Sequence, residues 1–243
     1  MTNLEAIDRR ISRRSYAGPV PAEKQTLLQQ QIKRVNAKSG LAIRFVAEGG
    51  TLFGGFAASY GMFSGVRSFF MLVGNQADPH LKEKAGYYGQ QLVLEATKLG
   101  LGTCWVGGTF NRKTLTRALQ PGQQLVAVIV VGLVKQVQTV KEKLVYNVAH
   151  RSSKTPQQMM ETDLTPPSWF VNGVTAASKA PSAINRQPVC FSWQKGVARA
   201  EIAAETDSEW IDLGIAKLHF ELAAGGTFAL GNSAIFTPVG GDI

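Results

Sequence analysis

Residues 86–108, GYYGQQLVLEATKLGLGTCWVGG, constrain the fold more than any other stretch of the chain. Tyr88, Leu92, Ala96 and Leu99 recur at helical spacing, and Tyr87, Leu94 and Leu101 lie on a neighbouring face. Charge is confined to Glu95 and Lys98, so nearly the whole circumference is apolar or small, the pattern of a helix covered on more than one side. Gly100 and Gly102 are expected to stop it, because glycine accepts the left-handed conformation used at helix ends. The spacing predicts a central helix that runs into a glycine-rich turn at Gly107 and Gly108. A core helix with an ordinary C-cap meets the same pattern, so this stretch assigns no function alone.

At 243 residues the chain is long enough to bury one good core or two small ones. No run approaches the ~20 consecutive apolar residues of a membrane span. The longest apolar run, residues 125–134, fits a buried strand. The opening MTNLEAIDRRISRR carries acids and no apolar core, so a cytoplasmic protein without a secretory signal is expected. The two cysteines, Cys104 and Cys190, have no metal-ligand spacing and read as reduced core residues. His80, His150 and His219 are scattered singly, so no metal is expected. The net charge of +9 admits a nucleic-acid partner. Its basic residues, however, are spread among acids, except for the group Arg9, Arg10, Arg13 and Arg14. Such a surface suits an anionic cofactor or a phosphorylated substrate equally well.

In chain order, residues 2–11 read as a helix capped by Thr2 or Asn3, followed by the arginine group and a proline-rich loop through Pro21. A second helix is expected from Pro21 or Ala22 to about Asn36, with Leu27, Leu28, Ile32 and Val35 on its apolar face. Residues 41–47 are strand-like, and 49–65 form a glycine-rich aromatic segment that reads as a cover or lid. Residues 66–74 are a strand, and the central helix follows Pro79. Residues 112–119 should be a short helix capped by Asn111. Pro121-Gly122 is a turn and 123–134 a strand. Residues 137–156 look like an extended polar return. The remainder echoes this order: a helix at 168–178 capped by Ser168, strands at 189–193 and 198–205, a long helix at 208–226 and a strand at 233–239. Leu218, Glu221 and Gly226 fall on Leu92, Glu95 and Gly100, which points to an internal repeat with a join near Pro156, Pro166 and Pro167. The first repeat would span residues 1–160 and the shorter second one 161–243.

Two segments carry chemistry. Arg10-Ile11-Ser12-Arg13-Arg14-Ser15-Tyr16 places guanidiniums and a hydroxyl in one short stretch, and their fixed forks of donors match phosphate oxygens. A solvated basic face at a helix end accounts for it equally well. Arg151, Ser152 and Lys154 form a second basic group that could close on the same anion. Residues 180–188, APSAINRQP, form a loop of small and amide side chains before a strand, offering donors and acceptors to the edge of a heterocycle. An Asx turn is the alternative there.

Arg10-x-Ser12-x-Arg14-x-Tyr16 resembles the N-terminal signature of the FMN-dependent nitroreductase family, and Pro181-Ser182-Ala183-Ile184-Asn185-Arg186-Gln187-Pro188 is similar to that family's P-S-x-x-N-x-Q-P segment. Residues 99–108 look like its helix end and following turn. In single-repeat members the two motifs lie close together in sequence. Here the second motif lies in the second half, and Ala37-Lys-Ser-Gly-Leu stands in its place in the first. The resemblance therefore implies the fused form, an α+β nitroreductase-like fold with two repeats in one chain packed as a pseudo-dimer around long central helices. By resemblance, Arg10, Ile11, Ser12 and Arg14 would hold the FMN phosphate and the pyrimidine side of the flavin, with Arg151 added at the phosphate. Ser182, Ala183 and Asn185 would approach from the other half. Backbone NH groups near Gly107 and Gly108 would face flavin N5, where hydride arrives. Val189 stands where an aromatic residue often follows Q-P. No side chain is expected to act as a nucleophile. The implied activity is reduction of a nitroaromatic, quinone or similar small-molecule acceptor by NAD(P)H, in a monomer with one surviving site.

Gly100-x-Gly102 is not a dinucleotide fingerprint, because it follows a helix and lacks the third glycine. The competing readings are a flavin-binding protein without turnover and a basic nucleic-acid-binding protein.

Overall fold

Two strands are continuous apolar runs, and in a computed structural model of the chain they lie at the centre of an antiparallel sheet. The structure describes residues 1–53, 63–108, 110–149 and 152–240. These divide into two compact units, one made of Arg9–Leu81 and Gln91–Val148, the other of Met1–Asp8, Lys82–Gln90 and the chain from Ala149 onward.

In the first of these units, α2 (Ala22–Ser39) ends at Gly40, whose φ of 73° needs no Cβ. Leu28, Ile32 and Val35 are buried along it, whereas Leu27, expected on the same face, is exposed. Strands β1 (Arg44–Val46), β2 (Ser68–Asn75), β3 (Gly102–Val106) and β4 (Gln123–Gly132) form a sheet in the order β1-β2-β4-β3 with every pair antiparallel. All but the last residue of β2 are buried, as are the last eight of β4. Both faces of the sheet centre are therefore covered, which explains apolar runs without alternation. A core of Phe69, Met71, Val106, Phe110, Leu125 and Val128 packs together on one side. Asn111 caps α4 (Arg112–Thr116) by accepting from the Thr114 N–H, as its position predicts.

Two expectations for this unit are corrected. The residues after the central helix α3 (Leu81–Lys98) are not a glycine-rich turn. Gly100 does take the left-handed conformation at φ 70°, but Gly102 to Val106 pair with β4 as an edge strand. Residues 137–156 are not simply an extended return, because α5 (Val140–Ala149) occupies most of their centre. Val140, Leu144 and Val148 on this helix face outward, so the usual inward apolar periodicity is missing. Of the segment read as a lid, residues 54–62 lie outside the described residues.

In the other unit, α1 (Asn3–Arg9) is capped by a reciprocal pair: Thr2 N–H donates to Glu5, and Glu5 N–H donates to the Thr2 hydroxyl. Helix α6 (Ser168–Ala177) begins after Pro167 without a side-chain cap, so Ser168 is its first residue and not its cap. Strands β5 (Met160–Thr162), β6 (Cys190–Gln194), β7 (Val197–Glu201), β8 (Gly226–Phe228) and β9 (Ala234–Pro238) form a sheet ordered β5-β6-β7-β9-β8. β5 and β8 are too short to show a period and were not expected. An aromatic cluster fills this core: Phe191 stacks on Phe220 at 4.9 Å between centroids, and Phe236 stacks on Trp169 at 5.1 Å.

The long helix of this unit, α7 (Asp207–Ala224), has the length of α3. Leu81 and Asp207 begin them and Lys98 and Ala224 end them, 126 positions apart at each end. Sheet order also agrees, since β6-β7-β9-β8 follows the same sequence of connections as β1-β2-β4-β3. Residues 82–90 of α3 approach α7 backbone to backbone at two glycines. A Cβ on Gly86 would strike the Ile211 carbonyl, and one on Gly214 would strike that of Glu83. Lys217 is buried beside Glu83 and also donates to the carbonyls of Ala229 and Gly231, while the Gly231 N–H donates to the other Glu83 oxygen.

Candidate active site

Alternation along an extended segment sends neighbouring arginines to opposite sides, and the stretch 10–16 does this. It runs beside edge strand β3: Ser12 bridges Thr103, and the Arg13 N–H donates to the Thr103 carbonyl at 2.8 Å. Arg13 turns inward onto Glu142 of α5, with its Nε 3.1 Å from the carboxylate and its Nη1 donating to the Lys135 carbonyl. Glu142 also accepts from the Arg14 and Ser15 amides and from Thr139. Burial alone would raise the Glu142 carboxyl, but Arg13 and these amides outweigh it and hold it at about 2. The Tyr16 hydroxyl closes the turn on the Arg13 carbonyl at 2.7 Å.

With Arg13 consumed, Arg10 and Arg14 are left half-buried on the other side. The Nε atoms of both are buried without a hydrogen-bond partner among the described residues. Burial pulls the Arg10 guanidinium down to about 10. Two guanidiniums whose inner nitrogens lack acceptors fit an anion with several oxygens. Both act on the buried Cys104 thiol, hydrogen-bonded by Ser12: burial raises it, and Arg14 and Arg10 offset part of that rise. Neither Glu142 nor Cys104 was singled out from the sequence as part of this site. Only the anchoring of Arg13 across 129 positions shows the role of Glu142.

Gly107 and Gly108 follow β3 in an exposed bend, and a Cβ on either would meet nothing within 4 Å. The two glycines belong to the same unit as Arg10, Ile11, Ser12 and Arg14. Arg151 lies outside the described residues.

Ser182, Ala183 and Asn185 belong to the other unit, in a loop before β6. Ile184, Asn185 and Gln187 all take left-handed backbone there, with φ of 46°, 57° and 46°. Ile184 is a β-branched residue in that region and is largely exposed, a combination that the surroundings must enforce. The enforcing contacts are local. The Gln187 N–H donates to the Ser182 hydroxyl at 2.9 Å, and the buried Gln187 side chain accepts from the Lys154 amide and donates to the Ser178 carbonyl. Lys154, expected at an anion, sends its ammonium to the Gln187 carbonyl at 2.9 Å. Asn185 Nδ2 donates to Ser153. The Ala183 N–H donates to Asp212, whose carboxyl burial pushes up to about 7. Asp212 carries no motif signal and was missed.

A family model described as "Putative TM nitroreductase" matches residues 3–224. The chain belongs to the nitroreductase family. Among solved structures, this chain resembles a Thermotoga maritima protein described as a putative nitroreductase, with a TM-score of 0.60 and 21% identity over 97% of this chain and 92% of that one. A Clostridium novyi nitroreductase family protein matches at a TM-score of 0.45 and 20% identity, over 56% of this chain and 87% of that one. A Desulfovibrio desulfuricans protein described as a putative nitroreductase in complex with FMN matches at 0.41 and 21%, over 58% and 94%. The comparison with curated proteins gave no match. As a member of this family the chain is a flavin-dependent oxidoreductase. Among the described residues no helix is long and apolar enough to cross a membrane.

Proposed function

We propose that this nitroreductase binds FMN and reduces a nitroaromatic, quinone or similar small acceptor with electrons from NAD(P)H, by hydride transfer through flavin N5. The observation that carries the reading is the pair of buried Nε atoms on Arg10 and Arg14 without a partner among the described residues, in a segment that Glu142 and β3 hold in place. Bound FMN supplies the redox chemistry; the chain's task is to position and polarise it. Arg10, Ile11, Ser12 and Arg14 serve the phosphate and the pyrimidine edge, and Arg151 adds a charge at the phosphate. Backbone NH groups of Gly107 and Gly108 face N5. Ser182 and Asn185 serve the same cofactor from the second half. Ala183 serves it through its backbone position, because its N–H is taken by Asp212.

The chain is also proposed to be a fused pseudo-dimer of repeats 1–160 and 161–243, cytoplasmic and monomeric, with one flavin site. The shared sheet order and the 126-position offset of the two long helices support duplication. Ala37-Lys-Ser-Gly-Leu in place of a first P-S-x-x-N-x-Q-P loop supports a single site.

Anaerobic addition of NADH or NADPH to the FMN-loaded protein tests the activity. Bleaching of the flavin band followed by recovery with a quinone or nitroaromatic supports it. Tight FMN binding without bleaching by either nucleotide would favour the flavin carrier without turnover.

A further inference from the structure

Asp212 lies in the second turn of α7 and is 6% exposed. Its surroundings are poor in compensation: Met159, Ala177, Ala180, Val189 and Ala216 border the small cavity at its side. Among the described residues, no charged side chain other than Asp212 lines that cavity. The acid acting on it is Glu209, one turn earlier on the same helix, which itself accepts the Glu205 amide. A buried carboxyl is expensive, and hydrophobic packing alone would not retain it. What it holds is the Ala183 N–H, shared between its two oxygens at 3.2 and 3.1 Å.

That amide precedes the stretch Ile184 to Gln187, in which all residues but Arg186 are left-handed. Ser182 and Gln187 tie the two ends of the stretch together, and Asp212 ties its start to a rigid helix. The internal register supplies an independent argument. The position 126 residues before Asp212 is Gly86, in the half that lacks the P-S-x-x-N-x-Q-P loop. The acid is present in the half where there is a loop to hold. In the other half the same position serves close helix packing.

We propose that Asp212 is a positioning residue for the flavin: by accepting the Ala183 amide it fixes the 182–187 loop in the conformation that presents Asn185 to FMN. The inference rests on the FMN reading above and adds to it a residue that does not itself touch the cofactor. The role requires an acceptor at this point, not a negative charge. Asparagine, whose Oδ1 accepts the same N–H, therefore preserves it, and alanine abolishes it.

Two readouts test this in wild type, Asp212→Asn and Asp212→Ala: the FMN dissociation constant from flavin fluorescence, and hydrogen exchange at the Ala183 amide in the flavin-free protein. Asp212→Ala is expected to weaken FMN by about tenfold or more, the size of the penalty for leaving a buried amide without its acceptor. It should speed Ala183 exchange similarly. Asp212→Asn should stay within about twofold of wild type in both, a rescue that a requirement for charge would not give. The KM for NAD(P)H of the loaded enzyme should be unchanged in both variants. Should Asp212→Ala fail to fold, Ala183→Pro removes the donor instead, at a first helical position that tolerates proline, and should weaken FMN to the same extent. Wild-type FMN affinity in Asp212→Ala overturns the proposal, as does an Asp212→Asn variant as weak as Asp212→Ala. Failure of the wild type to bind FMN overturns the functional reading first, and a change confined to Ala183 exchange then leaves Asp212 a purely structural clamp and the proposal refuted.

Discussion

Arg13 and Glu142 show how one residue pair determines what its neighbours are free to do. The salt bridge absorbs Arg13, which lies between the signature arginines, and leaves Arg10 and Arg14 on the other side by alternation. Removing Arg13 leaves a carboxylate, 1% exposed at its side chain, without its cation, and Arg13→Ala should cost about 3–5 kcal/mol in urea denaturation at pH 7. Because the Glu142 carboxyl is held at about 2 when folded, against an ordinary 4.5, its contribution is complete above pH 4.5 and is lost as pH falls towards 2. That contribution is roughly 3 kcal/mol. Glu142→Gln should flatten the acid limb of the stability curve between those values, and an unchanged limb would count against the pair. The arginines were legible in the sequence as a motif, since guanidinium and hydroxyl chemistry is local. Their anchor was not, because Glu142 lies in a segment whose only periodic apolar residues point to solvent. Asp212 was illegible for the same kind of reason: its partner is a backbone amide, which no side-chain pattern announces.

At the scale of elements, the two long helices carry the architecture. Gly214 faces the Glu83 carbonyl so closely that Gly214→Ala must push the helices apart, and a loss of about 3 kcal/mol or more is expected. Gly107→Ala, with open space around it, should leave the melting temperature of the flavin-free protein almost unchanged. Thermal unfolding of the two variants side by side checks the contrast. Lys217, which Glu83 and two carbonyls surround, gives a second test. Lys217→Met should cost about 3–5 kcal/mol by chemical denaturation, and the double variant Lys217→Met with Glu83→Leu markedly less, because the penalty lies in the stranded acid. Helix α3 and strand β4 were legible because their apolar patterns are long. Strand β3 was not: its glycine-threonine-cysteine start reads as a turn, and only pairing with β4 makes it a strand. β5 and β8, each three residues long, fall below the length at which any period can be seen.

For the whole molecule, the common sheet order of the two units and the single loop motif lead to one expectation about stoichiometry. If the proposed duplication holds, a chain with one complete set of site residues should take up one flavin, not two. The same account assigns the phosphate to Arg10 and Arg14, each of which supplies charge-assisted hydrogen bonds of roughly 1.5–3 kcal/mol. Isothermal titration of FMN into the wild type and into an Arg10→Ala, Arg14→Ala variant measures both at once. The account predicts one FMN per chain, and a dissociation constant at least about a hundredfold weaker in the variant, with its fold verified by circular dichroism. Two flavins per chain, or a folded variant that binds FMN as tightly as the wild type, would contradict it.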